Sequence, residues 1–277
     1  MGFLVWILGA ALFVFPLERL AGEGVVVAVY DGDTIKVRFE AGLERKVRLL
    51  GVDAPEMDAT EEDIWLQARF SKRFAFRSLF RKRVRLLFDA TEEDDYGRLL
   101  AYVRIGGVLF NEKIIQKGFA RAYRRFSYRL RERFLRAEQI ARREGRGFWK
   151  ERPYPHVPVK SLSAAVGTLS RVEFVCERAR KKGACFALEA RGGAFAALIP
   201  EESIGLFSDL HRFRGEGLEV WGFLEIWRSQ PQILVYLPRQ IRVTEKSANM
   251  KMSGLTGRPS LFINPVRLRK TASNPVV

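Results

Sequence analysis

Twice along the chain, strand-favouring runs fall in the order three strands, a helix, two strands, and that order predicts an α+β protein of two small five-stranded β-barrels with helices attached. A proline-rich stretch separates the two runs, and an uncharged apolar segment precedes them. Five short strands of this kind match a closed barrel of the oligonucleotide/oligosaccharide-binding (OB) type. With 277 residues, 47% of them apolar, the chain has room for two packed cores, and disorder of the whole is excluded.

In the first run, residues 25–29, 34–39 and 46–52 are rich in branched side chains and separated by glycine-containing turns, which predicts three strands. Over residues 63–80, Ile64, Ala68, Ser71, Ala75 and Leu79 recur at helical spacing, and Glu61, Glu62 and Asp63 sit at the positive end of the helix dipole. Residues 84–88 and 99–103 supply two more strands. Residues 111–117 read as a short helix, and Leu130, Phe134, Ala137 and Ala141 line one face of a longer basic one. Pro153, Pro155 and Pro158 then favour extended, semi-rigid backbone. The second run predicts strands over 167–175, 185–190 and 195–199, a helix over 201–210, and strands over 218–226 and 233–237. In this second barrel Trp221, Phe223 and Trp227 are read as core before they are read as a stacking platform for bases.

A formal net charge of +16 points to a polyanionic partner, with nucleic acid ahead of an anionic membrane surface. The chain has two histidines and two cysteines, too few for a zinc site. Cys176 and Cys185 flank an Arg/Lys/Gly-rich turn. The sequence admits a disulfide between them if they lie opposite each other in a hairpin, and admits two free thiols as readily.

Three polar insertions interrupt the first run: Asp31-Gly32-Asp33-Thr34, then Arg48 through Asp53-Ala54-Pro55-Glu56, then Asp94-Asp95-Tyr96-Gly97-Arg98. Two carboxylates can hold a hard cation, a third can activate water, and two guanidiniums can clamp a phosphate. Oxygen donors with so few histidines favour Ca²⁺ or a similar hard ion and disfavour a histidine base. Gly32 is read as letting the chain turn tightly, and Asp31 as a turn carboxylate that satisfies backbone N–H groups. Strict alternation puts Arg48 and Asp53 on opposite faces of one strand, so bringing both to one site requires a bend at Gly51.

These motifs, followed by Gly118-Phe119-Ala120 and Gly147-Phe148-Trp149, resemble the staphylococcal nuclease (thermonuclease) family over residues 25–149. The resemblance implies calcium ligands at Asp33 and Asp53, a general base at Glu56, phosphate-contacting arginines at Arg48 and Arg98, and an aromatic contact with substrate at Tyr96. Two positions depart from the family's best-known member: Asp95 stands in place of a lysine, and Ala54 in place of a threonine whose backbone carbonyl assists the metal. The implied activity is calcium-dependent hydrolysis of phosphodiesters in DNA, with RNA admitted as a second substrate. The alternatives are a non-catalytic nucleic-acid-binding module, or a surface adhesin using its basic tail.

Around this core, residues 1–22 read as a signal peptide or short membrane anchor, which makes the protein secreted or extracytoplasmic, with residues 1–20 available to a membrane. Cleavage near Ala21 or Gly22 would, however, put Arg19 or Leu20 where a small residue is preferred. The remaining divisions are 23–152 for the nuclease-like domain, 153–160 for the linker, 161–245 for an OB-type nucleic-acid-binding domain and 246–277 for a disordered basic tail. From residue 121 to 152, arginines interleave with Tyr123, Phe126 and Tyr128, a pattern that suits a single-stranded polyanion and equally a solvated helix with its rings in the core. No protein partner is implied.

Overall fold

The run Val25-Val26-Val27 belongs to a longer strand than its composition suggests. In the computed structural model, which describes residues 19–40 and 42–244, strand β1 spans Arg19–Val29 and pairs on both sides. Residues 19–22, assigned above to the N-terminal segment, lie opposite residues 86–88 in the sheet. Strands β2 (Thr34–Phe39) and β3 (Glu44–Leu49) follow, then a two-residue β4 (Val52–Asp53), helix α1 (Glu62–Leu79), β5 (Arg83–Glu93) and β6 (Leu99–Ile105). Short β7 (Val108–Leu109), α2 (Phe110–Gln116), β8 (Arg121–Ala122) and α3 (Arg131–Arg143) complete this half. Strands β1, β2, β3, β6 and β5 close into a barrel through a parallel pairing that sets Val47 opposite Leu99 and Leu49 opposite Ala101. Branched residues at alternate positions, among them Ile35, Val37, Val47 and Leu49, fill its interior.

The second half repeats the plan with β9 (Leu169–Lys182), β10 (Cys185–Ala190), β11 (Ala196–Pro200), α4 (Glu201–Ile204), β12 (Gly217–Trp227) and β13 (Gln230–Leu234). It also closes by a parallel pairing, Ala196 opposite Gln232 and Leu198 opposite Leu234. The architecture is therefore two OB-type barrels, as predicted. Three details differ. The helix expected over 201–210 stops at Ile204, where Gly205 follows as its C-cap, and glycine is a poor residue for continuing a helix. An additional edge strand, β14 (Ile241–Val243), pairs with β12. The proline-rich segment is extended, but it lies against β9, where the N–H of Val157 donates to Arg171 O and the N–H of Arg171 to Pro155 O, both at 2.8 Å.

The β9–β10 hairpin turns at Gly183 and Ala184, directly beside Cys185. Cys185 consequently faces Lys182, while Cys176 faces Ala190. Both are free thiols, Cys176 buried, and the register that separates them removes the disulfide option.

Helix α1 packs on both barrels. Ala68, Ser71, Ala75 and Leu79 are buried as the helical spacing predicted, but Ile64, placed on the same face, is 38% exposed, and Leu66, Phe70 and Phe74 are buried as well. Phe70 meets Trp221 edge-on at 6.4 Å, Trp65 meets Tyr236 at 6.0 Å, and Phe74 and Phe119 both meet Phe223, at 6.2 and 5.4 Å. Leu169, Phe223, Tyr236 and Leu237 thus join the hydrophobic cluster of the first half. Trp221 and Phe223 are core, as expected, but the core is that between the barrels. Trp227 is not core: 41% of it is exposed. Within this apolar contact Glu225, 1% exposed, accepts from Arg73 Nε and from Gln232 Nε2, both at 2.6 Å, while Arg77 donates to Ile226 O. Burying that carboxylate is tolerable because guanidinium and amide donors take its lone pairs.

Candidate active site

The turn between β1 and β2 is set by Asp31, whose Oδ1 accepts from the N–H groups of Asp33 at 2.9 Å and Thr34 at 2.6 Å. The side chain satisfies backbone donors, as the sequence predicted for it. Burial raises its pKa against the lowering effects of the Thr34 hydrogen bond and the charges of Arg48 and Arg98. Gly32 does not have the left-handed backbone expected of a tight-turn glycine. A Cβ there would stand 1.8 Å from Ser71 Oγ and 2.7 Å from Ala54 Cβ, so close packing of the turn on α1 is what demands glycine.

That turn buries Asp33, 1% exposed, with its Oδ2 accepting the Ala54 N–H at 2.7 Å and its Oδ1 in contact with Thr34 Oγ1 at 3.2 Å. Arg48 closes an ion pair on the same Oδ1. The bond from Ala54 draws the Asp53-Ala54-Pro55-Glu56 segment against Asp33.

The bend that alternation requires is present. β3 ends at Leu49, Gly51 takes φ +77°, and β4 resumes at Val52. The Gly51 carbonyl is held by the Tyr123 N–H at 3.0 Å and the Tyr128 hydroxyl at 3.3 Å, and a Cβ at Gly51 would meet the Tyr128 ring at 2.5 Å. Buried Asn111 pins the preceding residue, donating from Nδ2 to Leu50 O at 2.9 Å and to Ala101 O at 3.2 Å, while its Oδ1 accepts from Val103 N. The sequence reading gave Asn111 only a place at the start of a helix and gave Tyr128 no place in this bend. Asn111 opens the polar run Asn111-Glu112-Lys113, so the sequence carries no local signal of its burial.

Arg48 receives the charges of Asp31, Arg98, Glu56 and Asp53, which brings all the predicted site residues except Tyr96 into one electrostatic neighbourhood. Burial pulls the Arg48 pKa below its ordinary value, and the three carboxylates oppose that shift. Arg98 is aimed by Asp94, to which its Nε donates at 2.8 Å and its N–H at 3.0 Å. Burial raises the Asp94 carboxyl, but these bonds outweigh it and the net shift is downward. Tyr96 is 83% exposed on the same turn, with the Arg98 guanidinium 5.3 Å from its ring. It stands at the rim.

Asp53 and Glu56 open on a cleft of about 260 Å³ walled by α1 and by Arg121, Phe148 and Trp149. Phe148 reaches it because its N–H donates to Gly118 O at 2.9 Å, tying the two aromatic motifs together. The arginine-rich stretch behaves in both expected ways. Tyr128 is buried, whereas Phe126 is 43% exposed and 4.6 Å from Tyr123. Its helix begins only at Arg131.

Asp33 is held by the Ala54 N–H, Thr34 Oγ1 and Arg48, and Asp53 lies within reach of the Arg48 charge. Among the described residues no group of three or more His, Cys, Asp or Glu side chains could hold a metal. Carboxylate and carbonyl oxygens are the donor type a hard cation takes, and Arg48 sits on the Asp33 oxygen that such an ion would need.

Residues 46–151 match the sequence model of the staphylococcal nuclease homologue family. A thermonuclease of Staphylococcus hyicus is 38% identical over 125 residues, covering 45% of this chain and 73% of the relative. One from Staphylococcus intermedius is 35% identical over 132 residues, covering 43% and 78%. An SPbeta prophage-derived endonuclease of Bacillus subtilis is 29% identical over 127 residues, covering 45% and 43%.

Proposed function

Since the chain belongs to the staphylococcal nuclease family and is a phosphodiester-cleaving hydrolase, we propose that it requires Ca²⁺ and cuts DNA, with RNA as a second substrate. Asp33, Asp53 and the Ala54 carbonyl would hold the ion, which when bound supplies a fixed positive charge against a non-bridging phosphate oxygen. Glu56, exposed at the cleft mouth, takes a proton from the water whose oxygen attacks phosphorus as the bond to the leaving oxygen breaks. Arg48 and Arg98 place their donors on the charge that accumulates on the phosphorus oxygens, and Tyr96 borders the substrate. The observation that supports this reading best is the gathering of Asp31, Asp53, Glu56 and Arg98 around a half-buried Arg48 that is itself seated on Asp33.

The test is cleavage of single-stranded DNA, duplex DNA and RNA with Ca²⁺ or with chelator, with Glu56→Gln alongside. Calcium-dependent cutting that the variant lacks is the expected result. Wild-type turnover in Glu56→Gln would sink the role assigned to Glu56.

Of the segment expected over residues 1–22 to export or anchor the protein, residues 1–18 lie outside the described residues, as does the whole basic tail expected over 246–277. Among the described residues no helix is long and apolar enough to cross a membrane. We propose export, to be checked by fractionating cells that express the full chain.

A further inference from the structure

Helix α1 runs directly beneath the Asp31–Asp33 turn at Ser71, and its next residue, Lys72, faces a second cleft of about 830 Å³ between α1 and the second barrel. Lys72 feels the charge of Asp31 on one side and of Arg69 and Glu202 on the other. The cleft therefore starts where the catalytic turn ends.

Two hairpins of the second barrel form its far wall: Gly183 and Ala184, joining the first and second strands, and Arg228 with its neighbours Trp227 and Gln230, joining the fourth and fifth. In OB-type barrels these are the two loops that flank the oligonucleotide-binding face. Here they face α1. Arg228 and Ser229 take φ +48° and +65°, positions usually left to asparagine or glycine, so an arginine is held at the cleft in a turn it does not favour.

The cations that line the cleft fall into two groups. Arg73 is occupied by Glu225, Arg69 by Glu202 at 3.3 Å and Lys182 by Glu189 at 2.8 Å. Lys72 and Arg228 make no hydrogen bond or ion pair among the described residues. Burial and the nearby Arg69 pull the Lys72 pKa down, so an incoming anion would relieve its position. Trp227, 41% exposed, lies at the same edge with the Arg77 guanidinium 5.1 Å from the centre of its ring, which leaves its other face to solvent. Two unpaired cations beside an exposed indole match the phosphates and bases of a single strand.

We infer that this cleft is a second nucleic-acid subsite, which grips the single strand running out of the active site and makes the enzyme favour long single-stranded substrates. The inference rests on the nuclease reading and extends it to strandedness and length. In the full chain carrying Glu56→Gln, oligothymidylates of about 5 and about 20 nucleotides are compared by fluorescence anisotropy over a salt series; OB-type sites span roughly 4–16 nucleotides.

The longer strand is expected to bind at least tenfold more tightly. Lys72→Gln with Arg228→Gln should remove most of that advantage and shallow the salt slope by about 1.4, the value for two lost single-strand phosphate contacts. Bromodeoxyuridine placed toward the strand's end should cross-link to Trp227. An advantage that survives in the double variant, cross-links confined to residues 245–277, or an equal advantage for duplex each overturns the inference. Should the double variant unfold, the cross-link map decides. Cleavage of the 5-mer by the wild-type chain reports on the nuclease reading alone, so the two failures are separable.

Discussion

The two barrels share strand order, closure and a parallel seam, yet only the first gathers the carboxylates and arginines to which phosphodiester cleavage is assigned here. The difference lies at the joins. In the first barrel the β1–β2 join carries Asp31 and Asp33, β3 is broken at Gly51 so that Arg48 and Asp53 share a side, and the turn before β6 aims Arg98 from Asp94. The corresponding hairpins of the second barrel carry Lys182 and Arg228 and no carboxylate. A common framework thus supports chemistry in one copy and at most charge and stacking in the other. The site, not the fold, confers the activity.

The comparison breaks first at Glu56. Glu56→Gln should lower single-turnover cleavage by about 10²- to 10⁴-fold, the range for a lost general base, with no change in melting temperature. Gly51→Ala tests the bend that the second barrel lacks: a Cβ at φ +77° against the Tyr128 ring should destabilise by about 3 kcal/mol in urea unfolding and depress activity as well. Glu225→Ala should cost somewhat less, about 2–3 kcal/mol, because it strands an Arg73 that keeps some access to water. It should also separate one thermal transition into two if the barrels owe their coupling to this contact.

Glu138 sharpens the contrast through pH. Burial raises its pKa, but the Ala122 N–H, Arg142 and Arg124 lower it further, so the net shift is downward. A lowered carboxyl contributes stability that is complete above the ordinary glutamate range and is lost as pH falls through the folded value. Glu138→Gln should therefore cost about 1–2 kcal/mol at pH 7, a difference that shrinks below about pH 4. Least of all, a reductant should leave the melting temperature of the second barrel unchanged, since Cys176 and Cys185 are out of register.

Much of this was legible in the sequence because strand and site signals are local. Period-two runs gave the strands of both barrels, and short motifs named Asp33, Arg48, Asp53, Glu56 and Arg98. What escaped depends on contacts between distant segments. Gly32 looked like a turn residue until Ser71, which lies far along the chain, occupied the space a Cβ needs. Asn111 and Tyr128 hold the Gly51 bend from other elements. The second apolar face of α1, with Phe70 and Phe74, was hidden because helical spacing was matched to one partner while the structure supplies two. The cysteine register turned on the place of a two-residue hairpin, which composition alone left open.

A wall shared by two rooms also sets an order of building. On the ribosome α1 emerges before β5 and β6 close the first barrel, and Phe223 and Tyr236, which cover its other side, arrive about 150 residues later, roughly 8–30 s at ordinary rates of synthesis. During that interval Trp65 and Phe70 present their rings to water, and the nascent enzyme, catalytic turn already drawn, waits for its other half to be clothed.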